Sequence, residues 1–433
     1  MLRTRHWIAA ALFAVSCGAF AQDYSLQDAI ADAQKSNGTI KASLVRVQVA
    51  RANSKVTYSQ FMPTVEGSAS QENGQVKTYT GPFKGTQNID TLTAVIDANW
   101  RLLDNGQREI AYRQSQKSIE AAEIAAENTV RNVLFNVKFN FLEALRRQEL
   151  LAVEESSLNR AKEIYEQTKF RADDAIGDVP KKDVLQAEAD YLNAKVSMLA
   201  ARNRANTALA NLEAVVGRSD LPKLKKPELR AAFYDEPKTL EEAYEAFEAR
   251  RPEIKSAKNE LEAQKLRIRS AQLDGSVQYA ADVRYRHTFA ETAGDNASLV
   301  LSASYFLFDG GRSKNAVKAQ ELTLSALQAE LEQQRLDIRS EVQGNFNERK
   351  TNSERLEAAE LAKKAAALNY KAAIESQKEG AANLIEVLTA QVTFATADSN
   401  LVEAEYDEYI SRLRLALSLG YEMEGEREIL GRK

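Results

Sequence analysis

The amino-acid sequence contains two copies of one long arrangement of segments, and this duplication restricts the possible folds more than any other feature. The octapeptide WRLLDNGQ at 100–107 returns as YFLFDGGR at 305–312. Residues 25–43 align with 239–257 at an offset of 214 positions, and residues 177–187 align with 380–390 at an offset of 203. A period of about 200 residues is far longer than a solenoid repeat. The chain is therefore predicted to hold two copies of one large structural unit.

Each copy contains stretches in which apolar residues occupy alternate positions, the pattern of strands with two differently solvated faces. In the first copy these residues are Leu92, Ala94, Ile96, Ala98, Trp100 and Leu102. In the second copy they are Val277, Tyr279, Ala281, Val283 and Tyr285, then Leu299, Leu301, Ala303, Tyr305 and Leu307. The sequence predicts one β-hairpin per copy, with strands of about ten residues.

A strand-to-helix corner follows each hairpin. Asp104 precedes Gly106 in the first copy, and Asp309 precedes Gly310 and Gly311 in the second. The two carboxylates are predicted to accept hydrogen bonds from the first free N–H groups of the next helix, while the glycines permit a sharp turn. A phosphate-binding loop is not indicated, because the Gly-x-Gly-x-x-Gly spacing and a βαβ context are missing.

Long helices follow the corners. The run from 106 to 176 contains no proline, and its apolar residues Val130, Leu134, Val137, Phe141 and Ala144 follow heptad spacing. In each copy an opening helix and a return helix together nearly equal the long helix in length. This matching predicts two half-length helices placed end to end beside one full-length helix.

These patterns give a domain organisation that starts with a secretory signal peptide at 1–21, marked by two arginines, an apolar core and an Ala-Phe-Ala cleavage site. The first repeat is predicted at 22–217, with an opening helix at 26–57, a hairpin at 59–103, a long helix at 106–176 and a return helix at 180–216. A proline-containing linker at 218–238 leads to the second repeat at 239–420, with an opening helix at 240–272, a hairpin at 277–308, a long helix at 312–379 and a return helix at 383–419. A tail at 421–433 ends the chain.

Cysteine usage and charge exclude several classes of function. The only cysteine, Cys17, lies in the signal peptide, where it is a candidate for lipidation. Ordinary cleavage removes it, so the exported chain has no disulfide and no thiolate metal site. Loss of two arginines leaves 56 basic and 62 acidic side chains, a net charge of −6 that does not favour nucleic acid as a partner.

No catalytic, cofactor or metal site is indicated, and the chain is predicted not to be an enzyme. The exported chain has one histidine, His287, without a nearby cysteine or second histidine. We expect this histidine in a barrel lumen or a loop.

Four strands of this length and alternation match transmembrane β-strands. Four strands cannot close a barrel, and an open sheet edge does not persist in lipid. A barrel would therefore be shared between subunits, with eight strands in a dimer or twelve in a trimer. The alternation alone is also compatible with a soluble four-stranded sheet packed on helices.

The order helix, hairpin, long helix, glycine, return helix, glycine resembles the TolC family of outer membrane efflux and secretion channels over essentially the whole exported chain. The segments GDVPKKDVLQAEADYLNAK at 177–195 and LFDGGR at 307–312 carry the resemblance most clearly. It implies a mainly α fold with β, in which a homotrimer forms a 12-stranded barrel in the outer membrane that continues as a periplasmic α-helical tunnel. The linker would belong to an equatorial belt.

The resemblance also implies a function and partners. The protein would be the passive exit duct of a tripartite efflux or type I secretion system. Its partners would be two further copies of itself, outer membrane lipid, a periplasmic adaptor, and an inner membrane pump of the RND, ABC or MFS type. No cofactor is implied. The alternative from another class is a periplasmic coiled-coil adaptor or scaffold without pore activity, and the sequence does not identify the exported substrate.

By resemblance, the helix–Gly–helix turns at 172–183 and 378–389 form the tunnel entrance. Gly177 and Gly380 would mark the tips where an adaptor docks. Glu386 stands where the family has its first acidic ring residue, and Asp183 stands where the family has an acid of the closing network. For both Glu386 and Asp183, the purely structural alternative is a first-turn carboxylate that interacts favourably with the helix dipole.

This chain departs from the family pattern at three positions of the entrance. The family's second ring acid is Thr389 here, and the tyrosine and arginine of the closing network are replaced by Gln377 and Ala382. The gate is therefore expected to be built differently or to be looser.

Overall fold

A computed structural model of the protein describes residues 23–82, 85–173, 180–229, 234–289 and 294–431. The predicted signal peptide at 1–21, Cys17 and Gly177 lie outside these residues. The elements in chain order are α1 (Leu26–Ser36), α2 (Gly38–Ser59), β1 (Thr64–Thr78), β2 (Gly85–Leu103), α3 (Gln107–Asp173), α4 (Lys181–Val216), α5 (Leu240–Arg250), α6 (Pro252–Leu273), β3 (Gln278–Phe289), β4 (Gly294–Ser304), α7 (Arg312–Lys378), α8 (Leu384–Ser418) and α9 (Glu426–Leu430). Within the described ranges, no helix is both long enough and apolar enough to cross a membrane.

The chain forms two compact units, each assembled from three stretches of sequence. The first contains residues 1–37, 136–232 and 352–410, and the second contains residues 38–135, 233–351 and 411–433. The first unit buries apolar side chains of four helices, Ile30, Phe141, Leu212 and Tyr406. The second has a core cluster that includes Phe247, Ile254, Leu331, Val342 and Leu415.

The two long helices, α3 and α7, have 67 residues each, or about 100 Å. The heptad positions predicted on α3 are all fully buried: Val130, Leu134, Val137, Phe141 and Ala144. The heptad prediction is therefore confirmed, and these positions form the buried seam of α3.

The prediction of one continuous opening helix in each copy is wrong. The first is interrupted at Asn37, which has extended backbone between α1 and α2. The second is interrupted at Arg251, also extended, because Pro252 begins α6 and disfavours helical backbone in the residue before it. Asn37 and Arg251 are separated by the same 214 positions as the duplicated segments.

Each interruption meets the end of a return helix. Asn37 Nδ2 donates to the Val215 carbonyl at 3.1 Å, and Arg251 Nη1 donates to the Ser418 carbonyl at 3.0 Å. These carbonyls belong to the last turn of α4 and α8, where the helix leaves them without an internal partner. The residue at each break loses its helical backbone conformation, and its side chain instead caps the C-terminus of a return helix.

The four strands form one antiparallel sheet in the order β1-β2-β3-β4, so β2 and β3 join the hairpins of the two copies. The strands have 15, 19, 12 and 11 residues, and the first two are longer than predicted. The hairpin bounds also need correction at two ends. Ser59 is still helical and β1 begins at Thr64, while the segment from Tyr305 to Phe308 lies beyond the last paired residue, Ser304.

The linker is irregular in its described parts, and the segment before α1 pairs with it. Tyr24 forms a parallel bridge with Leu224, through hydrogen bonds to the backbone of Lys223 and Lys225. Further along, Lys226 Nζ contacts Glu149 at 3.0 Å and Glu405 at 3.1 Å. The linker is thereby attached to both a long and a return helix of the first unit.

The predicted C-terminal tail is not entirely irregular. It contains α9, whose Glu426 is 1% exposed and forms hydrogen bonds to the buried Arg131 of α3 at 2.7 and 3.1 Å. The short length and high charge of this segment gave no periodic signal, which is why the helix was missed.

Candidate functional site

The two faces of the sheet differ in chemistry as the alternation predicts. One face carries exposed apolar side chains, including Ile96 and Trp100 on β2, Val283 on β3 and Leu301 on β4, which are 47–69% exposed. We call this the apolar face. Such a continuous exposed apolar surface is unusual on a soluble protein and indicates a membrane or a partner.

The opposite face carries paired polar groups. Arg284 Nε lies 2.6 Å from Asp97 Oδ2, across the β2–β3 ladder. Two rungs away, on the same face, Asn99 Nδ2 donates to Asp282 Oδ1 at 2.5 Å. Its charged groups are paired across the strands, which suits a water-filled interior.

His287 lies in β3 and not in a loop. Its register places it with Tyr285 and Phe289 on the apolar face, near the end of the β3–β4 hairpin. Its Nδ1 is 2.5 Å from Asp295 Oδ1, and Tyr285 donates its hydroxyl to the same carboxylate oxygen at 2.8 Å. The loop position is excluded because the alternation extends to the end of β3, and the lumen position depends on the assembled barrel and stays a prediction. Within the described residues, no group of acidic, His or Cys side chains could hold a metal ion.

Both strand-to-helix corners contain the hydrogen bonds predicted for them. Asp104 accepts from the N–H groups of Gly106 and Arg108, each at 3.2 Å. Asp309 accepts from the N–H groups of Gly311 and Ser313, each at 2.9 Å.

The backbone of each corner has two consecutive residues with positive φ, Asn105 and Gly106 in the first and Gly310 and Gly311 in the second. Hydrogen bonds from the hydroxyl and N–H of Ser313 and the N–H of Gly311 lower the pKa of Asp309 to about 2.

At the second tip, Gly380 closes the C-terminus of α7. Its φ is +74°, its N–H donates to the Gln377 carbonyl at 3.1 Å, and the N–H of Ala381 donates to the Ser376 carbonyl at 2.8 Å. These two bonds form a Schellman motif, which requires left-handed backbone and so favours glycine. The conformation of Gly380 thus has a structural cause, independent of any docking role. The equivalent Gly177 lies outside the described residues.

The two candidate acids lie in the first turns of the return helices. Glu386 is exposed, and its N–H donates to Asn383 Oδ1 at 3.0 Å, so Asn383 caps α8 and leaves the Glu386 carboxylate unengaged in capping. Asp183 is half-buried in the first turn of α4. The two helix starts share a small cluster in which Ala187 packs with Leu384.

Asp183 lines a cavity of about 180 Å3, and Glu386 does not. Gln377 and Ala382, which stand where the resemblance places the closing network, line the same cavity. The structure adds Arg171, from the last turn of α3, as a further lining residue that sequence reasoning missed. Its only sequence signal is a basic residue in a last helical turn, which is common because it favours the helix dipole.

Comparison with known proteins agrees with this geometry. The family model described as outer membrane efflux protein matches residues 29–218 and 243–421, one segment for each copy. The chain is 24% identical over 411 residues to the outer membrane efflux protein BepC of Brucella suis biovar 1 (strain 1330), which covers 94% of this chain and 87% of that protein.

Two solved structures show the same fold. A structure of CusC, described as undergoing conformational changes that accompany folding and transmembrane channel formation, has a TM-score of 0.81 at 16% identity and covers 93% of each chain. The Campylobacter jejuni CmeC outer membrane channel has a TM-score of 0.80 at 17% identity and covers 91% of this chain and 85% of that one.

Proposed function

The chain belongs to the outer membrane efflux protein family, and from this premise we propose that three copies form the outer membrane channel of a tripartite efflux or secretion system. It is an outer membrane protein and not an enzyme. In the proposed system it is the passive exit duct for substrates that an inner membrane pump delivers through a periplasmic adaptor. The observation that carries this proposal is the four-stranded sheet with an exposed apolar face.

The height of the apolar face supports membrane insertion. From Leu92 to Leu102 along β2 there are ten residue steps, or about 34 Å of strand. At a tilt of about 45° this corresponds to about 24 Å, close to the apolar band of outer membrane barrels.

The unpaired edges of the sheet support assembly of several copies. Among the described residues, β1 and β4 each have one neighbouring strand, and open edges do not persist in lipid. Two copies would give eight strands, whose interior is filled by side chains, whereas three copies give twelve and leave an aqueous lumen. An exit duct therefore requires three copies rather than two.

Single-channel conductance in a planar bilayer tests the proposal. Detergent-extracted, purified protein is expected to give discrete, long-lived, cation-preferring current steps. Protein that is recovered from the soluble periplasmic fraction and gives no conductance would contradict the proposal and favour the adaptor or scaffold alternative.

At the tunnel entrance we assign Glu386 to an acidic ring and Asp183 to the network of side chains that closes the tunnel. Three Glu386 carboxylates around a threefold axis would repel one another and attract cations. The exposed position of Glu386 and its absence from backbone capping support this role. For Asp183, the shared cavity with Arg171 and Gln377 supports a closing network with other partners than the family's. We place adaptor docking at the tips that Gly177 and Gly380 mark.

Glu386→Gln is expected to reduce cation selectivity and to weaken block by divalent cations. The effect should be larger in 0.1 M than in 1 M salt, because the screening length falls from about 10 Å to about 3 Å. Glu330→Gln, the same change at an exposed position of α7, is the matched control and should preserve selectivity. Equal selectivity in wild type and Glu386→Gln would remove the ring assignment and leave the channel proposal intact.

A further inference from the structure

The β1–β2 hairpin extends well beyond the rest of the sheet. The rung that joins Gln71, Leu92 and Phe289 is the last to include β3. Seven further rungs, from Glu72–Thr91 to Thr78–Gly85, pair β1 with β2 alone. At about 3.4 Å per rung this two-stranded extension, which we call the arm, is about 24 Å long. It lies at the end of the strands opposite to the helical corners.

The polarity of the sheet changes where the arm begins. On the apolar face, Ile96 and Leu92 are followed along β2 by Asp90, Asn88 and Thr86. The arm residues on this side, together with Gln71 on the last shared rung, are all polar: Gln71, Asn73, Gln75 and Lys77 from β1, with Thr86, Asn88 and Asp90 from β2. We call this surface the amide face.

The opposite side of the arm is mixed in polarity. There Glu72 pairs with Thr91 and Gly74 pairs with Ile89, and Val76 lies two rungs further along β1. The amide face differs from it in carrying no apolar side chain on either strand.

The chemistry of the amide face fits neutral sugars. Four of its side chains are amides, and each amide both donates and accepts hydrogen bonds, as a sugar hydroxyl does. Gln71 Nε2 donates to Asp90 Oδ1 at 3.2 Å, which fixes one amide across the strands. Lys77 and Asp90 have opposite charges, so the face has no excess of positive charge to select phosphate groups.

The amide face continues the lipid-facing surface beyond the hydrocarbon layer, where the headgroups of the outer leaflet lie. We propose that this face binds sugar hydroxyls in the glycolipid headgroups of the outer leaflet, through Asn73, Gln75 and Asn88 in particular. The arm then anchors the protein laterally to the saccharide layer. This inference rests on the outer membrane location and goes beyond the channel activity.

The test compares binding of three probes to purified full-length protein in detergent, by native mass spectrometry. The probes are lipopolysaccharide with a core oligosaccharide, lipid A without sugar core, and the free core oligosaccharide. Wild type should prefer the core-containing glycolipid over lipid A by at least about tenfold, since three net hydrogen bonds contribute this much or more. Raising the salt or adding a chelator should leave the preference unchanged.

The variant Asn73→Ala/Gln75→Ala/Asn88→Ala should lose the preference. The matched control is Glu72→Ala/Thr91→Ala, which truncates one rung on the opposite side of the same arm and should keep it. The conductance of each variant, compared with wild type, reports whether the barrel still assembles, so a folding defect is separated from lost binding.

Three results would overturn the proposal: no preference in wild type, an unchanged preference in the triple variant, or a preference that high salt or chelator abolishes. The last would show that phosphates and divalent cations, not sugars, are recognised. Equal binding of the free core would assign the site to soluble saccharides instead of the membrane. If the wild-type protein gave no conductance but still preferred the core-containing glycolipid, the channel proposal would be refuted and the glycolipid proposal would stand.

Discussion

The buried ion cluster at α9 makes a strong and testable contribution to the stability of the C-terminal segment. Arg131 is 2% exposed, and its Nε and Nη2 donate to Glu426 at 3.1 and 2.7 Å, while Nη2 also donates to Glu127 at 3.1 Å. The backbone N–H of Met423 donates to Glu426 Oε2 at 2.8 Å, the oxygen that also accepts from Arg131 Nε. Glu426 is thus the group through which α9 is attached to α3.

Removing Glu426 leaves a buried arginine with fewer partners. Loss of one member of a buried ion pair costs about 3–5 kcal/mol. Since Glu127 still neutralises Arg131, we use the lower end, about 3 kcal/mol, for Glu426→Ala. At about 1.4 kcal/mol per tenfold change, the opening of α9 should become about 100-fold more frequent.

Hydrogen exchange followed by mass spectrometry measures this opening directly. Peptides that cover residues 421–431 of the detergent-purified protein should exchange about 100-fold faster in Glu426→Ala. Glu426→Gln keeps the side-chain volume and removes the charge, so it should show most of the same increase. Global melting is less suitable, because many large proteins unfold irreversibly.

Arg427→Ala on the same helix is the matched control. Arg427 is 69% exposed, its ion pair with Glu422 lies at the surface, and such pairs contribute at most about 1 kcal/mol. Its exchange should therefore change less than about sixfold. If Glu426→Ala accelerated exchange no more than Arg427→Ala, the buried pair would not be what holds α9, and the reasoning would fail.

Two other positions give predictions of opposite kinds. A Cβ at Gly420 would lie 2.8 Å from the Arg251 backbone nitrogen, at a φ of +77°, so Gly420→Ala should destabilise this turn by about 2–4 kcal/mol, measured as faster hydrogen exchange of peptides that cover it. Gly344→Ala, in the interior of α7 with open space around it, should instead stabilise by up to about 1 kcal/mol. The pKa of Asp309 is lowered from 3.8 to about 2, so its contribution to folding is present above pH 3.8 and is lost as the pH falls toward 2. Exchange at the Ser313 amide, corrected for intrinsic rates, should rise over this window in wild type, whereas Asp309→Asn should show no such dependence.

Much of the fold follows from periodicity in the sequence, because the periodic residues face surfaces of different polarity. The alternation from Leu92 to Leu102 predicts β2 and its two faces, and the heptad positions such as Phe141 predict the buried seam of α3. The end of an element is less predictable. Ser59 remains helical since helix termination depends on the following Pro63 and on packing, and neither changes the local pattern before it.

Parts of the candidate sites were predictable from the sequence only where a side chain contacts residues next to it in the chain. Asp104 and Asp309 cap the helices that follow them, a relationship contained within four residues of sequence. The shared cavity of Arg171 and Asp183 depends on how four helix ends meet, and no spacing along the chain encodes it. The same holds for Arg131 and Glu426, which are 295 positions apart.

The helix interruptions indicate what the duplication has preserved. Asn37 and Arg251 differ in size and charge, yet each has extended backbone and each donates to a carbonyl two residues before the glycine that ends a return helix. The two carbonyl residues, Val215 and Ser418, are 203 positions apart, the offset of the return helices themselves. Because the identities differ while the geometry is the same in both copies, the shared feature is the contact itself: extended backbone at the break residue and a side-chain donor to a carbonyl in the last turn of the return helix. Any side chain that tolerates extended backbone and reaches that carbonyl satisfies this requirement, so the contact does not depend on one residue type at the break.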